Sequence, residues 1–172
     1  MNATAAIRRA TPNDATAVLA LFDAAIAWFT EIGNTEQWGS EPWSTQERQV
    51  ARIAEACDSP DSWVHITERG EVNGFLVLGD AMPYVPAPEQ PELYVRVLIA
   101  SRAPHARGVG RRLMAFADDR ALADGVTELR VDCYRGGSGA LVRYYESCGY
   151  ERTSVFDDGG WPGQVLARSL AR

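Results

Sequence analysis

From Asp14 to Ile32 apolar residues recur at helical spacing, with Val18, Leu21, Phe22, Ala25, Ile26 and Phe29 forming one stripe. "TPND" before the stripe supplies helix-start residues and Gly33 after it supplies a stop, so the pattern predicts a first helix between them. A short extended stretch, "AAIRRA" (Ala5–Ala10), precedes it. "NTEQWGSEPW" reads as a loop, and Ser44 as the cap of a second helix ending near Cys57. "SWVHITERGEVNGFLVLGD" predicts two strands around a turn near Arg69–Gly70, with Val72–Leu78 the more buried. Four of the nine prolines fall in "AMPYVPAPEQPE", a density that no helix or central strand accepts, so this is a surface loop.

Leu93–Ala100 is a strongly apolar strand. A glycine-containing segment and a helix from about Gly108 follow, with Leu113, Phe116, Ala117, Ala121 and Leu122 on one face and Arg112, Asp119 and Arg120 on another. Asp124–Gly125 closes that helix. Val126–Tyr134 alternates, placing Leu129, Val131 and Cys133 on one side and Glu128, Arg130 and Asp132 on the other. "RGGSG" is a turn, Ala140–Ser147 a short helix stopped by Gly149, and "YERTSVF" with "GQVLARSL" a terminal antiparallel pair around "DDGGWP". Helices interleaved with strands predict an α/β fold in one domain, residues 1–172.

Composition narrows the chemistry. The net charge of -6 argues against nucleic acid, whose phosphates require an excess of Lys and Arg. Three cysteines without a C-x-x-C pair and only two histidines, His65 and His105, assemble no zinc site, so the cysteines read as reduced core residues and the expected metal content is none. No apolar run suggests a leader or a membrane span, which makes the cytoplasm the expected location.

The candidate chemistry sits in "HARGVGRRLM". Gly108 and Gly110 at a helix start let an anion approach the first turn, where uncovered N–H groups and the helix dipole favour negative charge. Arg107, Arg111 and Arg112 add full positive charges. A tight strand-to-helix turn would use the same glycines. A Walker loop is excluded because no Gly-Lys-Ser/Thr string exists, and a dinucleotide fingerprint fits poorly because Leu113 stands where its third glycine belongs.

From Glu92 to Tyr150 the chain resembles the GNAT superfamily of acyl-CoA-dependent N-acetyltransferases. "HARGVG" matches that family's Arg/Gln-x-x-Gly-x-Gly/Ala loop, and "YYESCGY" its helix, with Tyr145 four residues before the Gly149–Tyr150 pair. His105 stands where relatives carry Arg or Gln, and Ser138 where they often carry Asn. The resemblance implies a mixed, mostly antiparallel sheet of about six or seven strands flanked by about four helices. It also implies acetyl-CoA as acyl donor, with His105, Ala106, Arg107, Gly108, Val109, Gly110 and Arg111 around its diphosphate. The amides of Arg107 to Arg111 would hold that group, Leu98, Ile99 and Ala100 would pair with the pantetheine arm, and Ser138 would lie beside it. Tyr145 would protonate the departing thiolate, since a phenol titrating at about 10 can donate to a thiolate of about 8.5.

Glu92, two residues before Tyr94 on the same strand face, is the first candidate base, and a water-relayed deprotonation would need no dedicated residue. Trp28, Trp38, Tyr84 and Tyr94 would line an acceptor pocket, with Glu36 and Glu41 favouring a cationic amine. The expected partner is a small-molecule or peptide amine, with no nucleic acid and no membrane, and a homodimer stays open. A catalytically silent acyl-CoA-binding or sensing domain is the alternative.

Overall fold

The structure, a computed structural model, describes residues 5–171. The first four residues, part of the stretch read as carrying no leader, lie outside them. Four α-helices and a seven-stranded sheet are present, with strand order β1-β2-β3-β4-β5-β7-β6. The β4–β5 pair is parallel, while β1–β2, β2–β3, β5–β7 and β6–β7 are antiparallel. The contacts divide the chain into two compact units.

The first unit holds the chain up to Val77 together with Val97–Leu113. It contains β1 (Ala6–Arg9), α1 (Ala15–Glu31), α2 (Glu47–Asp58), β2 (Ser62–Ile66) and most of β3 (Val72–Gly79). It also holds the end of β4 (Leu93–Ala100) and the first turn of α3 (Val109–Ala123). Its core sets Val18, Phe22 and Ile26 of α1 and Ile53 and Cys57 of α2 against Val64 and Phe75 of the sheet. The stripe read from the sequence is therefore the buried face of α1. Ser44 does not cap α2: it sits in a 3-10 turn, Trp43–Thr45, and its amide donates to Asp23 Oδ1. Gln46, extended in backbone, precedes α2 instead.

A buried carboxylate ties β1 to the entrance of α1. Asp14 accepts two guanidinium hydrogen bonds from Arg8, both at 2.9 Å, and one from the Thr11 amide at 2.8 Å. Those charge-assisted bonds, Arg8 first, hold its carboxyl below the usual carboxylate range despite burial. The stabilisation is thus fully present above the ordinary Asp value and is lost as pH falls through the lower folded value. Asp14→Asn should cost about 1–3 kcal/mol at neutral pH. The gap from wild type should narrow in acid, as denaturant melts at pH 7 and pH 3 would register; an equal gap at both would refute the assignment.

The second unit holds Leu78–Arg96 and the described chain from Met114 onward. It contains the rest of α3, β5 (Glu128–Tyr134), α4 (Ala140–Ser147), β6 (Glu151–Asp158) and β7 (Trp161–Ser169). The β6–β7 turn is shorter than the sequence suggests. Gly159 and Gly160 have φ of +60° and +92°, a consecutive left-handed pair that closes a two-residue hairpin, so Asp157 and Pro162 are already cross-strand partners. On α3 the buried positions are Leu113, Met114, Ala117 and Ala121, whereas Leu122 faces out. β5 is not one-sided either. Arg130 is buried along with Leu129 and Val131, because α/β layering covers both faces of a central strand.

Candidate active site

The glycine segment of the first unit is a turn whose amides are used unequally. Past β4 the Ser101 amide donates to Asn73 O, and a 3-10 turn over Pro104–Ala106 leads to Gly108. Gly108 has φ of +86° and a Cβ there would meet nothing within 4 Å, so glycine is needed for the left-handed backbone. The Arg107 amide donates to Pro104 O at 3.3 Å, which removes it from the expected cradle. Arg112 N–H to Gly108 O begins the helical ladder, so the amides of Gly108, Val109 and Gly110 precede it at the positive end of α3. His105, Arg107 and Arg111 are exposed around this turn, while Ala106 and Val109 point inward.

Gly74 of β3 lets the helix start sit where it does. A Cβ at Gly74 would lie 2.7 Å from Val109 Cγ1 and 2.8 Å from Leu113 Cδ1. Gly74→Val should therefore push the first turn of α3 outward and cost about 1–3 kcal/mol of stability. Thermal melts measure this, and an unchanged midpoint would show that the gap is not needed.

Leu98, Ile99 and Ala100 close β4. Its ladder with β5 runs through Leu93↔Leu129, Tyr94↔Arg130 and Val95↔Val131, and these three residues come after it. The Ile99 side chain belongs to the core of the first unit.

In the second unit three side-chain pairs line β4 and β5, each joining residues 38 apart: Gln90 with Glu128, Glu92 with Arg130, and Tyr94 with Asp132. Glu92 and Tyr94 do share a face, as expected. Both Glu92 oxygens, however, are held by the buried Arg130 guanidinium, through Nε and through Nη2 at 2.8 Å. With both oxygens taken up inside the protein, neither is directed at a substrate amine, which argues against Glu92 as the base. Tyr94 is fully buried, and its hydroxyl donates to Asp132 Oδ1 at 2.5 Å, so its side chain is not a pocket wall. Burial pushes the Asp132 carboxyl above its ordinary range.

Tyr145 is buried on α4, edge-on to Tyr144 at 5.3 Å and to Tyr150 at 6.1 Å. Burial raises the phenol well above 10. Cys133 is pushed up to about 12 by burial, which makes it an inert thiol. Ser138 is exposed in the turn before α4, beside a cavity of about 370 Å³ that Arg135, Arg143 and Arg152 help line. The Ser138 carbonyl accepts from Arg143 at 2.6 Å.

The aromatic residues separate. Trp43 is buried and stacks on Phe22 at 4.3 Å, with Trp38 packed against both. Trp38 is thereby part of the core cluster's margin more than a free wall. The Arg102 guanidinium lies 3.3 Å from the Trp28 ring centroid, so one face of Trp28 already carries a cation. Tyr84, half-exposed in the proline-rich loop, packs on Phe156 at 5.1 Å. Sequence reasoning missed Asp132 and Arg130. The signal was the polar alternation of β5 set beside Gln90, Glu92 and Tyr94, which only the register turns into pairs.

The model of the acetyltransferase (GNAT) family matches residues 19–150. No curated protein matches the chain by sequence. Among solved structures, an N-acetyltransferase from Staphylococcus aureus Mu50 superposes with a TM-score of 0.68 at 19% identity, covering 98% of this chain and 100% of that one. A ribosomal-protein-alanine N-acetyltransferase from Brucella melitensis gives 0.64 at 20%, covering 96% and 99%. A GNAT superfamily phosphinothricin acetyltransferase from Sinorhizobium meliloti, solved in complex with acetyl-CoA, gives 0.65 at 16%, covering 97% and 89%.

Proposed function

The chain belongs to the acetyltransferase (GNAT) family, and on that footing we propose that residues 1–172 form one domain that moves the acetyl group of acetyl-CoA directly to a primary amine of a small molecule or peptide. The observation that carries this is the turn at Gly108: a left-handed glycine followed by amides that precede the ladder of α3, in the sequence "HARGVG". Amides of that kind at a helix start suit a diphosphate, and the open space about Gly108 admits it. The cradle is Gly108, Val109 and Gly110, with the side chains of His105, Arg107 and Arg111 at its rim. The backbone of Leu98–Ala100 takes the pantetheine arm as an added strand would. An amide of this stretch steadies the oxyanion that forms when the amine attacks.

Tyr145 protonates the leaving thiolate. Its environment keeps the phenol protonated at neutral pH, so it acts as a donor throughout the working range. Trp28 supplies an aromatic margin for the acceptor. Glu92, clamped by Arg130, holds β4 to β5 instead of taking a proton. Thiol release from acetyl-CoA across a panel of primary amines tests the reading. Release dependent on an amine supports it; acetyl-CoA binding with no release from any amine points to a sensor and overturns the transfer.

A further inference from the structure

With both Glu92 oxygens held by Arg130, the proposed transfer calls for another group to accept the proton of an alkylammonium. The side-chain ladder on β4 and β5 offers one at its far end. Of its three carboxylates, Glu128 is paired with the Gln90 amide at the surface and Glu92 with a buried guanidinium. Asp132 is different. Its side chain accepts from the Tyr94 hydroxyl, a neutral donor on a fully buried residue.

A phenol fixes the carboxylate in direction without cancelling its charge, which preserves its capacity to take up a proton. Tyr94 lies on β4 and Tyr145 on α4, and both carry its field; Cys133 adjoins it on β5 as a neutral thiol, and Val165 is its backbone partner on β7. The nearest cation along β5, Arg130, is committed to Glu92.

We infer that Asp132 is the catalytic base of this protein, and that Tyr94 is the positioning residue that aims its carboxylate. The inference rests on the acetyl-transfer reading above. The alkylammonium gives one proton to Asp132. The freed nitrogen lone pair forms the N–C bond to the thioester carbonyl, and the C–S bond then breaks with its electron pair on sulfur. The thiolate takes the Tyr145 proton, the phenolate recovers a proton from the Asp132 carboxyl, and the second nitrogen proton leaves to solvent. Burial of Asp132 favours this role, because a carboxyl that titrates above its usual range is a better base once ionised.

The test compares two small acceptors in thiol release from acetyl-CoA: methylamine, which is protonated at neutral pH, and hydroxylamine, which is not. Asp132→Asn keeps the shape and still accepts from Tyr94. It should slow release with methylamine by about 100-fold or more, and release with hydroxylamine by less than about threefold. Tyr94→Phe removes a hydrogen bond that favours the ionised carboxylate, and so should move the acid limb of the methylamine rate profile to higher pH. Equal losses with both acceptors, or no loss with methylamine, would overturn the role of Asp132. An unmoved acid limb in Tyr94→Phe would overturn the positioning role. Wild-type protein that releases no thiol with either acceptor, while still binding acetyl-CoA, would instead overturn the transfer reading beneath both.

Discussion

Gly110→Asp should leave the protein as stable as wild type and abolish its binding of coenzyme A. Gly110 is the second residue of α3, ahead of the ladder that starts at Arg112. A carboxylate in the first turn of a free helix is favourable by about 0.3–1 kcal/mol, and replacing glycine stiffens the turn, so melting should hold or rise slightly. With a diphosphate at the same amides the sign reverses. Two like charges about 4 Å apart repel by roughly 4 kcal/mol in a partly solvated setting, which is about a thousandfold in affinity. Calorimetric titration with coenzyme A reads this directly. Unchanged affinity would mean that the diphosphate binds elsewhere. Gly108 is the poorer place for the experiment, because its φ of +86° makes any side chain strain the turn by about 1–2 kcal/mol before a ligand arrives.

Tyr145→Phe should lower the maximal rate by about a hundredfold to ten-thousandfold while leaving acetyl-CoA affinity nearly untouched. The ring would keep its packing against Tyr144 and Tyr150, so only the proton is lost. The pH dependence carries a sign. Because burial raises the phenol above 10, it stays protonated below that value, and no loss of its acid function should appear as pH rises from neutral to about 10. A wild-type rate that fell within that window through the phenol would contradict the environment of α4. A Phe variant with full rate at every pH would remove Tyr145 from the chemistry.

Much of this was legible beforehand, and the reasons differ by residue. The stripe Val18–Ile26 and the strand Leu93–Ala100 were readable because local periodicity and a core face are the same physical demand. Gly108 was readable because a left-handed turn before a helix admits few other residues. Ser44 failed as a cap because the chain entered α2 through a 3-10 turn, a choice made by the packing of Trp43 on Phe22. Leu122 was misplaced because hydrophobicity alone does not say where a buried stripe ends. Arg107 dropped out of the cradle because its amide closes the preceding turn.

The linear chain by itself determined the elements, the family and the glycine turn, since each depends on residues close together along it. Which carboxylate meets a guanidinium and which meets a phenol was decided only in three dimensions. Glu92 and Asp132 are alike as isolated side chains, and they differ because the parallel register of β4 and β5 sets one against Arg130 and the other against Tyr94. Proton affinity follows the partner and the loss of water around it, and neither exists until strands far apart in sequence lie side by side.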